Sequence, residues 1–190
     1  FAGQQDTFLN VIGEADLLDA IRRCWVSLFT DRAILYRARS HFSHRQVQLS
    51  VVVQKMIMSE VSGILFTADP VTGHRHTLTI DASFGLGEAL VGGLVSPDAY
   101  RVDKRTRKIL DRQIADKQIA IYPETDGGTR QVAFGESRRS QTVLPDEQIL
   151  ALAELGARVE AHYGVPQDIE WAIAGGQVYV LQARPITSLY

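Results

Sequence analysis

Gln167-Asp168-Ile169-Glu170-Trp171-Ala172-Ile173-Ala174-Gly175-Gly176-Gln177-Val178-Tyr179-Val180-Leu181-Gln182-Ala183-Arg184-Pro185 is the stretch on which the reading of this chain turns. Ile169–Ala174 and Val178–Leu181 read as two short strands, and Gly175-Gly176 between them is a tight-turn signal. Side chains alternate along a strand, so Asp168 and Glu170 share one face, as do Gln182 and Arg184. Pairing through the turn can set Glu170 beside Gln182. A carboxylate and an amide oxygen on adjacent strands form a hard-oxygen site suited to magnesium, with phosphate oxygens and water completing the shell. Arg184 would offer a planar, permanent cation to the same phosphates. Spacing alone favours a plainer reading, a surface hairpin whose acid and arginine form an ion pair.

Immediately upstream, Asp146–Tyr163 reads as a helix. Pro145 suits its first turn, Ile149, Leu152, Leu155 and Val159 form its apolar stripe, and Gly164 stops it. The middle of the chain is strand-rich. Val47–Met58 is a β-branched run too continuous to be half exposed and reads as a central strand. Gly63–Ala68 reads as another, ended by Asp69-Pro70 and a turn at Thr72-Gly73, and Thr77–Ala82 as a third. Tyr100–Asp103 and Lys108–Leu110 flank a polar turn, and Ala120–Tyr122 and Gln131–Phe134 flank Asp126-Gly127-Gly128, so two hairpins are expected. Phe1 to Gly13 is mixed and reads as a loop with a short extended piece. Leu17, Leu18, Ile21, Trp25, Leu28 and Phe29 recur at helical spacing over Glu14–Phe29. Asp31 reads as the N-cap of a second short helix with Ile34 and Leu35 inward. The layout is α+β with mostly antiparallel hairpins.

With 190 residues the chain suits a single domain able to bury a core. A formal charge of -2 supplies no field to draw nucleic acid or an acidic membrane, so neither partner is expected. The basic cluster Arg101–Arg112 reads as a solvated hairpin without the aromatic platforms that a nucleic-acid surface would want. No run approaches the roughly 18 apolar residues of a membrane span. The lone Cys24 excludes an internal disulfide, suits a reducing cytosol and reads as a small buried residue on a helix. His41, His44, His74, His76 and His162 do not stand at zinc-ligand spacings. The chain opens on Phe1, which reads as a piece of something longer.

Two further stretches can meet a nucleotide. Ser83-Phe84-Gly85-Leu86-Gly87-Glu88-Ala89-Leu90-Val91-Gly92-Gly93 follows a strand and opens a helical stretch, where backbone amides can approach phosphate or sugar. It contains no Gly-Lys-Ser/Thr, and Leu90 occupies the third glycine position of the dinucleotide pattern, so a structural turn is an equal reading. In Val53-Gln54-Lys55-Met56-Ile57-Met58, free backbone groups on a flat apolar strand edge can hold an adenine ring; a core strand reads equally well.

Taken in order, Phe1-Ala2-Gly3-Gln4-Gln5-Asp6-Thr7, Val53–Met56, Phe66-Thr67-Ala68-Asp69-Pro70, Phe84–Glu88, Gln167–Glu170 and Gln182–Pro185 resemble the nucleotide-binding domain shared by phosphoenolpyruvate synthase, pyruvate phosphate dikinase and rifampin phosphotransferase. Ser50–Met56, Thr67–Pro70 and Asp81–Gly93 followed by Val95-Ser96-Pro97-Asp98 look closest to rifampin phosphotransferases. The resemblance implies an ATP-grasp fold, mostly antiparallel and here incomplete at the N-terminus. It implies a cytoplasmic enzyme in which a histidine on a separate swivelling domain takes the β-phosphate of ATP and passes it to an acceptor held by a further domain. Position by position, Glu170 and Gln182 resemble magnesium ligands, Arg184 the phosphate-contacting arginine, and Asp168 an acidic residue near the metals. Glu88 resembles the glutamate near the ribose; Gln54, Lys55, Met56 and Ile57 resemble the adenine hinge. Lysine- and arginine-bearing segments that grip phosphates in the family are expected upstream of Phe1, so this chain alone is expected to bind ATP weakly and not to turn over. A phosphoenolpyruvate synthase domain, and a non-catalytic nucleotide-binding or interaction module, remain the alternatives.

Overall fold

A computed structural model describes residues 5–43, 46–70 and 72–186. The chain divides into two compact units, one of residues 1–56 with 123–129, the other of residues 57–122 with 130–190. Phe1–Gln4 of the first motif and His44 lie outside the described residues.

In the first unit Gln5–Gly13 is irregular, and Gly13, at φ 91°, starts helix α1, Glu14–Val26. Glu14 and Asp16 in its first turn and Arg23 in its last complement the helix dipole. The helix stops three residues short of the expected Phe29, tightening into a 3-10 turn over Ser27–Phe29. The buried Ser27 hydroxyl explains the change of winding: it donates to the Cys24 carbonyl and accepts from the Asp6 amide, an alternative to continued helix. Helix α2, Asp31–Arg39, is capped by Thr30, whose Oγ1 accepts from the Ala33 amide. Asp31, expected as the cap, is the first helical residue, because Thr30 is the one with extended backbone (φ -66°, ψ 150°). Its buried residues are Ala33 and Arg37, not Ile34 and Leu35, since Arg37 turns in to donate to the Leu28 carbonyl. Cys24 is half-buried rather than fully buried, its thiol directed at the Asp6 carbonyl. Asn10, in the left-handed region at φ 52°, donates to the Glu124 and Gly128 carbonyls and fastens loop 123–129 to this unit.

The expected strand at Val47–Met58 does not form: residues 47–59 carry no helix or strand. β-branched residues favour extended backbone, but a strand requires a partner ladder. Val52 and Val53 are exposed, so the burial that a central strand would supply is missing too.

The second unit is built on a six-stranded sheet of order β4-β3-β2-β1-β7-β8, antiparallel throughout. Its strands are β1 Val61–Phe66, β2 Thr77–Phe84, β3 Asp98–Asp103, β4 Lys108–Gln113, β7 Gln167–Ala174 and β8 Gln177–Pro185. A two-stranded ribbon, β5 Ile119–Pro123 and β6 Thr129–Ala133, lies between them in sequence with the short helices α3 Glu88–Val91 and α4 Glu136–Arg139 on either side. Helix α5, Asp146–Tyr163, has the expected bounds, is entered from Pro145 and ends on Gly164 at φ 72°. It lies across one face of the sheet, where Ile149 and Leu152 meet Leu65, Leu78, Ile80, Tyr100, Val102, Ile169, Trp171 and Ile173 in one core. These strand residues alternate with polar or half-buried ones, except that the buried Ala172 lies between Trp171 and Ile173.

Candidate functional site

Register decides what stands beside what. In the β7–β8 hairpin Glu170 pairs with Gln182 and Asp168 with Arg184, so all four project from the sheet face opposite α5. The pairing slips between Glu170 and Trp171, leaving Leu181 as the extra residue of a β-bulge right behind the Glu170–Gln182 pair. The bulge shifts the phase of β8, so that Val180 and Val178 stand opposite Trp171 and Ile173 while Gln182 stays beside Glu170.

Arg184 is held by Asp168: its Nε and Nη2 each lie 2.8 Å from the Asp168 Oδ2. The carboxylate is largely buried (12% exposed) and the guanidinium is not (46%), so Asp168 anchors the arginine while a broad part of its donor edge stays open. The ion pair of the plainer sequence reading thus exists, and it leaves Glu170 out. Glu170 is half-buried, and its carboxyl makes no hydrogen bond with any described residue. Burial pushes its pKa above the ordinary carboxylate value; the charge of Arg184 pulls the other way and that of Asp168 adds to the rise. Gln182 is exposed beside it.

These groups fit a magnesium–polyphosphate complex by the chemistry of their donors. A carboxylate oxygen and an amide oxygen are hard ligands, and an open sheet face leaves the remaining positions to water and phosphate, as magnesium prefers. Among the described residues no group of three or more His, Cys, Asp or Glu could hold a metal unaided. Glu88 is exposed as the first residue of α3. The glycine stretch before it is pinned from below: Leu86 N–H donates to the Ile121 carbonyl and Gly85 N–H to the Glu60 carbonyl, both at 2.8 Å. Gly85 sits at φ 76°, where a Cβ would strike the Ile121 carbonyl, so this glycine is a packing requirement. In the first unit Gln54 and Lys55 are exposed and Met56 is half-buried; Ile57, half-buried, opens the second.

Sequence reasoning passed over Asp81. It stands on β2 opposite Ile64, and Ile64 in turn stands opposite Glu170, which makes Asp81 a third oxygen-bearing residue in the same cross-strand row. The signal available was the alternation of Thr77–Phe84, which puts Asp81 on the polar face; no pattern in one strand could name its neighbours two strands away. Burial raises the pKa of this carboxyl as well. A depression of about 310 Å³ lined by Lys104, Ala157, Glu160, Ala161 and Gly164 lies at the C-terminal end of α5 and includes none of these residues. No helix among the described residues is long and apolar enough to cross a membrane.

Comparison with known proteins agrees over the whole chain. Residues 1–190 match the family described as pyruvate phosphate dikinase, AMP/ATP-binding domain. Rifampicin phosphotransferases of Bacillus cereus and Bacillus subtilis are each 53% identical across all of this chain, which covers 22% of either relative. A probable phosphoenolpyruvate synthase of Pyrococcus horikoshii is 50% identical, again across all of this chain and 24% of the relative. The chain thus spans less than a quarter of the length of each of these three relatives.

Proposed function

This chain belongs to the pyruvate phosphate dikinase AMP/ATP-binding domain family, and we propose that it binds magnesium–ATP for a dikinase-type phosphotransfer completed by other domains of a longer, rifampicin-phosphotransferase-like protein. The observation that carries the proposal is the outward grouping of Glu170, Gln182 and Arg184 on one open sheet face. Magnesium bound there would neutralise charge on the polyphosphate. Glu170 and Gln182 offer it their oxygens. Arg184, kept in place by Asp168, donates from its free edge to a phosphate oxygen. Phosphoryl transfer asks mainly for such positioning and charge neutralisation, which is what this set of groups supplies.

Glu88 is proposed to hydrogen-bond a ribose hydroxyl. Backbone groups of Gln54, Lys55, Met56 and Ile57 are proposed to read the purine edge. The phosphoryl group would go to a histidine on a swivelling domain, then to an acceptor, with AMP and phosphate released. A rifamycin acceptor is supported by the order of the relatives, rifampicin phosphotransferases at 51–53% identity and phosphoenolpyruvate synthases at 50–51%.

Calorimetry of ATP binding with and without magnesium tests the site. The full-length protein should bind ATP more tightly with magnesium, and Glu170→Ala should remove that gain. Magnesium-dependent binding that survives Glu170→Ala unchanged would overturn the assignment. Incubating the full-length protein with ATP and either rifampicin or pyruvate, and following AMP release, decides the acceptor.

A further inference from the structure

The proposed site leaves one acidic side chain of the same face unused. Across four strands the register reads Asp81, Ile64, Glu170, Gln182, each pair directly opposite. Opposite residues of an antiparallel pair project from the same face, so Asp81 shares its face with the two oxygen donors. With strands about 4.8 Å apart, the Asp81 and Glu170 backbones are separated by roughly 10 Å. Only Ile64 stands between them.

Asp81 is half-buried, yet its carboxyl meets no hydrogen-bond donor and no cation among the described residues. The more buried aspartates of this unit are compensated. Asp69 accepts from Arg101 and from the Thr72 amide; Asp98 accepts from Lys117 and from the Ala115 and Val143 amides; Asp168 accepts from Arg184. Two residues further along β2 and on the same face, the Ser83 hydroxyl is 1% exposed and also lacks a partner. A buried polar group is normally satisfied, and two adjacent exceptions on one strand face mark a place where a partner is supplied from outside the protein.

We propose that Asp81 is a third oxygen donor of the magnesium–polyphosphate site, holding a cation or its bound water on the β2 side while Glu170 and Gln182 hold the β7–β8 side. This rests on the magnesium–ATP reading above. Ile64 forms the apolar floor between the two arms, and Ser83 donates to the same water shell. The short aspartate on one side and the longer glutamate on the other span the gap with phosphate oxygens lying between them.

The test is the linkage between magnesium and ATP in the full-length protein. ATP affinity is measured by calorimetry at a series of free magnesium concentrations, without turnover, for the parent and for Asp81→Asn, Asp81→Glu and Glu170→Gln. Asp81→Asn is expected to cut the magnesium-dependent gain in ATP affinity about tenfold or more. It should leave the magnesium-free affinity unchanged or slightly better, since a negative charge has left the pocket. Asp81→Glu, which keeps the carboxylate, should recover part of the gain. A merely structural aspartate would instead lower both affinities together, and that outcome overturns the proposal. So does a full magnesium gain in Asp81→Asn with the gain lost in Glu170→Gln, which leaves the wider ATP reading intact. If Glu170→Gln also keeps the gain, the site itself is misassigned.

Discussion

Glu170 shows how one side chain can be legible in sequence while its chemistry is not. Its strand, its face and its partner across the turn follow from alternation and Gly175-Gly176. Its raised pKa follows from burial among neighbours that only the folded sheet supplies. The sign is as follows. The folded state takes up a proton at Glu170 more readily than the unfolded chain does, so this group's contribution to stability is present below the unfolded pKa. It is lost as pH rises through the folded one. Magnesium needs the ionised form. Magnesium-dependent ATP binding should therefore fall off, as the pH is lowered, at a higher pH than the ordinary carboxylate value of about 4.3 would give. Calorimetry between about pH 5 and pH 7.5 checks this, and Glu170→Gln should flatten the profile. Asp81 was invisible at this scale for a related reason: nothing within one strand reveals which residues lie two strands across.

At the scale of elements, hairpins and the long helix were the readable parts, because turn glycines and apolar spacing are local signals. Helix α5 came out with its expected bounds, and the β7–β8 hairpin is longer than expected at both ends. Val47–Met58 failed as a strand because β propensity does not supply a partner. Close packing was legible nowhere. Gly156 of α5 lies so near the sheet that a Cβ there would stand 2.7 Å from Leu65 Cδ2 and 3.1 Å from Leu78 Cδ1. Gly156→Val should cost about 1–3 kcal/mol through overpacking, read as a lower urea midpoint. A second buried contact joins β3 to two loops. Asp98 and Lys117, both fully buried, pair with each other while Asp98 also accepts from the Ala115 and Val143 amides and from Tyr100 Oη. Lys117→Met removes the cation and leaves the carboxylate inside, so about 3 kcal/mol or more of stability should be lost in chemical denaturation. Burial also pushes the Tyr100 phenol above its usual pKa.

At the scale of the whole molecule, the chain covers 22% of the rifampicin phosphotransferases it resembles, so its chemistry is that of a part. Expressed by itself, it should show no ATP-dependent phosphotransfer and should bind ATP at least about tenfold more weakly than the full-length protein does, a difference of about 1.4 kcal/mol. Parallel calorimetry of the two proteins checks this. Amino-acid order alone determined the α+β class, the family resemblance, the long helix and the pairing of Glu170 with Gln182, since each depends on contacts close along the chain or on motifs of fixed spacing. Only the folded sheet decided that Asp168 clamps Arg184, that Asp81 joins their face, and that 47–58 stays outside any ladder. Those outcomes depend on strand order and register between segments as much as about a hundred residues apart (Phe66 stands opposite Asp168). Which strands meet is set by how the whole unit buries its apolar face, a property no local pattern carries.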